Sequence, residues 1–157
     1  MGWFYTASHD AQTIPFVGPS GVDDLLVFTI AADTPIRLWS FEINNISDLQ
    51  DAQEQTPRFE IVRGFSAGIG GTALTEAAVD DHAPAATTAV VSRPTQGTGG
   101  TIVKRMWWNS LQPGPVWIAE TEEAALRVSA ASNSLLIRVG AFLSEITIGY
   151  EVLWEEL

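Results

Sequence analysis

Two histidines, His9 and His82, are the chain's whole supply of imidazole, and the densest polar cluster is Asp80-Asp81-His82. Oxygen and nitrogen donors of that kind could help hold a transition metal. A good site needs several convergent ligands, and no second ligand cluster has a recognisable spacing, so the triplet reads as a solvated loop ahead of Ala83-Pro84. Asp23-Asp24 reads as a turn, because the pattern of a calcium-binding EF-hand loop is missing. No metal is expected.

Gly64-Phe65-Ser66-Ala67-Gly68 fits the letters of a nucleophile elbow. That motif works only where a strand–turn–helix corner exposes the serine. Here a glycine-rich loop follows, and the only downstream histidine is His82. Gly68-Ile69-Gly70-Gly71 lacks the lysine of a phosphate-cradling loop and opens no helix. Glu120, Glu122 and Glu123 could supply the two carboxylates of a glycosidase, with Trp107, Trp108 and Trp117 nearby in sequence to stack on a sugar. Six tryptophans in a β-rich chain mostly fill core and interface, however. The expectation is no catalytic residue, no cofactor and no enzyme.

Composition narrows the partners. With 8 Lys+Arg against 19 Asp+Glu, the 157-residue chain carries a net charge of −11. Binding nucleic acid through phosphates needs a basic face, and anionic membranes attract basic segments, so neither partner is expected. The absence of cysteine excludes disulfides, thiol catalysis and zinc fingers. At 46% apolar and 17% charged, the chain is too apolar for intrinsic disorder. The opening Met-Gly-Trp-Phe-Tyr-Thr has no basic or apolar region of a secretory signal. Gly2 and Thr6 match a loose myristoylation pattern, but the aromatics between them read as packing residues.

The elements that must position these residues are strands. Ile146, Ile148, Tyr150, Val152 and Trp154 alternate with Glu145, Thr147, Gly149, Glu151 and Glu155, and only Leu153 breaks the polar side. A period of two sustained this long is a strand with one buried and one wet face. Residues 25–30, 36–43, 58–63, 89–92, 101–108, 126–128 and 135–139 read as further strands, rich in β-branched and aromatic residues. In 36–43 the alternation groups Arg37, Trp39, Phe41 and Ile43 on one face. In 58–63 it sets Phe59 and Ile61 opposite Glu60 and Val62.

Glycine and proline punctuate at Gly18-Pro19-Ser20-Gly21, Gly64 to Thr72, Pro94 to Gly100 and Gln112-Pro113-Gly114-Pro115. Asp48 to Gln55 reads as loop, and Thr121 to Leu126 as one turn. Many short strands between turn signals point to an all-β fold, an antiparallel β-sandwich or jelly-roll-like barrel. Residues 1–24 read as an irregular N-terminal arm, and 25–157 as a single domain with a long loop region at 64–100.

Exposed aromatics are the better functional clue. Trp107 and Trp108 are adjacent, so in a strand they point to opposite faces and one of them must meet water, a loop or a partner. Trp3, Phe4 and Tyr5 raise the same question, because such residues are enriched in interfaces.

From Phe59-Glu60-Ile61-Val62-Arg63-Gly64 into the glycine-rich loop to Gly71-Thr72-Ala73, the text resembles small β-sandwich virion proteins encoded among the head genes of tailed bacteriophages. Matching pieces are Asp80 to Pro84, Gly97-Thr98-Gly99-Gly100-Thr101, Trp117 to Glu123, Leu135 to Val139 and the closing Tyr150 to Glu156. The likeness covers about residues 36–157. The stretch 118–123 lacks the proline common there in those proteins. The resemblance implies a decoration or cement protein on the capsid exterior of the virion, made in the host cytoplasm. Its partners would be the major capsid protein and other copies of itself, with a trimer favoured. Trp3, Phe4, Tyr5 and one of Trp107 or Trp108 are then the expected contacts. A carbohydrate-binding β-sandwich module is the alternative.

Overall fold

A computed structural model describes residues 2–14, 21–46, 56–66, 70–92, 96–109, 114–129, 134–140 and 145–157. Among these the chain forms twelve strands: β1 (Trp3–Ile14), β2 (Val22–Thr29), β3 (Ile36–Asn45), β4 (Arg58–Ser66), β5 (Thr72–Ala73), β6 (Ala77–Ala78), β7 (Ala89–Ser92), β8 (Thr98–Trp107), β9 (Val116–Ile118), β10 (Leu126–Val128), β11 (Ser134–Gly140) and β12 (Ile146–Glu156). The fold is an antiparallel β-sandwich. The first sheet runs β10-β3-β12-β1-β6, with β9 also paired to β3, and the second runs β5-β7-β2-β11-β4-β8.

The core lies between the sheets. Ile146, Ile148, Tyr150, Val152 and Trp154 of β12 are all buried there, as the period of two requires. Trp154 is the pivot: Tyr5 stacks on it at 5.9 Å and Phe28 meets it edge-on at 5.5 Å. Rings at these separations add about 0.5–1.5 kcal/mol per pair beyond their burial.

The N-terminal segment corrects the sequence reading. Residues 3–14 are no irregular arm but a twelve-residue strand between β12 and β6. Tyr5 and Ala7 face the core, and a register shift between His9 and Gln12 then resets the alternation so that Ile14 is buried too. That bulge, together with three consecutive aromatics, hides the period of two.

A second bulge corrects β3. The register shift opposite Leu153/Trp154 puts Trp39 and Ser40 together on the outside. Phe41 and Ile43 therefore join Ile36 and Leu38 in the core, away from Arg37 and Trp39. In β8 the strand begins earlier than the glycines suggested: Gly99 and Gly100 lie inside it, at φ of 73° and 93°, which glycine adopts without strain. The 64–100 region likewise contains β5, β6 and β7.

The turn expected near 121–126 is present, with the Ala124 and Ala125 amides both donating to the Thr121 carbonyl at 3.1 Å. It projects from the edge where β9 and β10 pair in succession with β3. Just before β9, the Ile43 amide donates to the Pro115 carbonyl at 3.1 Å. A Cβ on Gly114 would overlap the Ile43 carbonyl, so only glycine permits this approach. The expected loop at Asp48 to Gln55, Gly18-Pro19-Ser20 and Gln112-Pro113 lie outside the described residues.

Candidate interaction surface

The five aromatic contact candidates separate by environment. Trp107, at the end of β8, is 56% exposed on the outer side of the second sheet, with the Arg58 guanidinium 5.8 Å from its ring centroid. Trp3 is 39% exposed, and Phe4 is half-buried on the outer face of the first sheet. Tyr5 and Trp108 are corrections. Tyr5 is 1% exposed and its hydroxyl donates to the Pro84 carbonyl at 3.1 Å. Trp108 is 4% exposed and packs on Phe59 at 5.9 Å. Strand alternation turns both inward, so neither offers its ring to a partner.

What the sequence did not expose is an apolar band on the outside of the first sheet. Leu153, the one residue that breaks the polar side of β12, pairs with Thr6 of β1 and Ser40 of β3, and Ser40 pairs with Ile118 of β9. Trp39, turned outward by the bulge, lies 5.9 Å from the Phe4 ring. Ile118 and Val116 are 62% and 52% exposed at one end of the band. Apolar side chains on four strands of one outer face, with Thr6 and Ser40 between them, make the kind of surface that proteins use for partners. The signal was available: Leu153 and the alternating Val116 and Ile118 are apolar where a wet face wants polar side chains.

Charge frames the band. Along one side, Glu155 Oε2 accepts from Arg37 Nη1 and Trp39 Nε1, both at 3.3 Å, and Arg37 also pairs with Glu122. Along the other, Glu42 and Glu151 stand directly opposite each other on β3 and β12. The outside of the second sheet is built differently. Asp24, Arg138, Glu60 and Arg105 alternate in sign across β2, β11, β4 and β8. Arg138 Nε donates to Asp24 at 2.7 Å, and Arg105 Nε donates to Glu60 at 2.8 Å.

The chemical candidates do not assemble into a catalytic arrangement. Glu122 is engaged by Arg37, and Glu123 is held below the ordinary carboxylate range by its own backbone amide and then by the Thr121 hydroxyl. A proton donor needs the opposite shift. Trp108 is in the core and Trp117 packs against it, so neither offers a ring to a sugar beside those carboxylates. Asp80, Asp81 and His82 do come together, with donor atoms within 4.8 Å of one another on exposed side chains. The His82 amide donates to Asp80 Oδ1 at 2.9 Å, which shapes the loop from within. Ser66 is exposed at the end of β4, and residues 67–69 lie outside the described segments.

No protein-family model matches the chain, and no curated protein matches it. Among solved structures, a chain from the structure of the infectious bursal disease virus Gx strain is similar over 99% of this sequence, at 17% identity and a TM-score of 0.28. This chain spans 42% of that chain's length. At that TM-score the likeness carries no argument, and the functional reading rests on the chain itself.

Proposed function

We propose that this protein is a virion structural protein that decorates or cements a bacteriophage capsid, docking on the major capsid protein through the outer face of its first sheet. The observation that carries the reading is the apolar band of Phe4, Trp39, Leu153, Ile118 and Val116. The band lies on paired strands rather than on loops, which suits a static contact with a shell. Interfaces that hold stably bury about 1,600 Å² in total, and many copies on one shell add avidity. The sequence resemblance to phage virion proteins supports the same reading.

Co-sedimentation tests it. Wild-type protein is expected to travel with shells assembled from the capsid protein of the same virus, while Ile118→Glu remains in the supernatant. Binding by Ile118→Glu at wild-type strength would remove the band from the interface. The exposed Trp107 ring favours the second reading, a carbohydrate-binding module. A glycan array probed with wild type and Trp107→Ala decides it: a bound glycan lost in the variant supports sugar recognition, and a blank array rejects it.

A further inference from the structure

The two lateral edges of the sandwich differ in charge and shape. One edge is β8, ten residues long, exposed along almost its whole length and, among the described residues, paired only to β4. These two strands hold Arg58, Arg63, Lys104 and Arg105 against a single carboxylate, Glu60. That is half of the 8 cationic residues of a chain whose net charge is −11. Lys104, opposite Ile61 in register, is exposed.

The other edge is β5 and β6, two residues each and fully exposed. Beyond β6, the Val79 amide donates to the Phe4 carbonyl at 2.9 Å and fixes the following loop against β1. Between them opens a cleft of about 460 Å³ lined by Gly2, Trp3, Phe4, Val79, Asp80 and Glu155. Its walls are aromatic and apolar, its charged groups are the carboxylates of Asp80 and of Glu155, the latter already paired with Arg37, and Val79 at its rim is 63% exposed. Aromatic faces with a carboxylate beside them are the environment that an ammonium or guanidinium group prefers.

We propose that copies of this chain associate head to tail, with the cationic β8 edge of one copy seated on the β1–β6 edge of the next and the Lys104 ammonium entering the Trp3–Asp80 cleft. Charge selects this pairing. Two β8 edges brought together would set Lys104 and Arg105 against their own copies, the arrangement by which edge lysines block strand pairing. A contact between unlike surfaces closes into a ring where the rotation allows and otherwise continues as a filament. The inference goes beyond the proposed capsid role and is tested without a shell, so either can fail alone.

The test is light scattering after size exclusion on the full chain, with Lys104→Gln and with Asp80→Asn/Asp81→Asn. These side chains are exposed, and the substitutions leave the Glu60 cluster and Glu155 in place. Wild type is expected to form a closed oligomer or a longer chain that loosens as salt rises. Each variant should weaken association about tenfold or more, equivalent to about 1.4 kcal/mol. Mixing the two variants leaves one intact contact per pair, so a one-to-one heterodimer should form. A wild-type monomer at every concentration would overturn the proposal, as would an oligomer indifferent to both variants. A monomer that takes up a lysine-rich peptide, and loses it with Asp80→Asn, would assign the cleft to another protein and equally reject self-association.

Discussion

Arg138 Nε donates to Asp24 Oδ1 at 2.7 Å across β11 and β2, with the Asp24 side chain fully buried and that of Arg138 12% exposed. The other Asp24 oxygen accepts from the Gly97 amide at 2.6 Å, and Arg138 Nη2 returns a bond to the Gly97 carbonyl at 3.1 Å. The pair thus ties the segment leading into β8 to the outside of the second sheet. Removing one member of a buried pair strands the other charge. Asp24→Ala should cost about 3–5 kcal/mol, read as a lower midpoint in urea unfolding. A loss below about 1 kcal/mol would mean that Arg138 finds water instead.

Tyr5 gives a prediction at alkaline pH. Burial, and to a lesser degree the Glu156 carboxylate, push its hydroxyl up from the ordinary value of 10.0. Above about pH 10 an unfolded tyrosine is ionised while the folded one still holds its proton. Stability should therefore fall as pH rises from there through the raised folded value. Tyr5→Phe should cost about 1 kcal/mol at neutral pH, for the lost bond to Pro84, and flatten the alkaline decline. Equal alkaline slopes for the two proteins would place the titration elsewhere.

Glu42 and Glu151 face each other directly on adjacent strands. Like charges so placed are destabilising, and opposite charges contribute about 0.2–1 kcal/mol. Glu151→Lys should raise stability by about 0.5 kcal/mol, or about 1–2 °C in Tm for a chain of this length, and the gain should shrink in high salt. A lower Tm in low salt would contradict this.

Trp107 and Trp108 make a matched pair of tests, since one ring is outside and the other in the core. Trp108→Ala should cost about 3–5 kcal/mol. Trp107→Ala should cost at most about 1 kcal/mol, for its contact with Arg58. Similar losses for both would mean that Trp107 is covered in solution.

The strands were legible wherever alternation ran unbroken. In β12 the residues that the period of two set on the apolar side all reach the core, and in 58–63 of β4 Phe59 and Ile61 share the core face, although Glu60 and Val62 on the opposite side are buried as well. Alternation failed at the bulges. At Trp39/Ser40 one extra residue carried Phe41 and Ile43 to the other face, and between His9 and Gln12 a similar shift made a strand look like an irregular arm. A bulge depends on the partner strand, which a local reading does not contain. The apolar band was half legible, because Leu153 stood out in β12. Its union with Phe4, Trp39 and Ile118 comes from contacts between strands far apart in sequence, Leu153 with Thr6 and Ser40, Ser40 with Ile118, and Phe4 with Trp39. Glu155 was read as wet and is buried, because Arg37 and Trp39 reach it from β3.

The most direct test of the central claim is a cryo-electron microscopy reconstruction of shells of the same virus saturated with this protein. The account predicts added density on the shell exterior, with the outer face of the first sheet, at Leu153 and Ile118, pressed against capsid subunits. Shells with no added density, or density in which that face points into solvent, would contradict it.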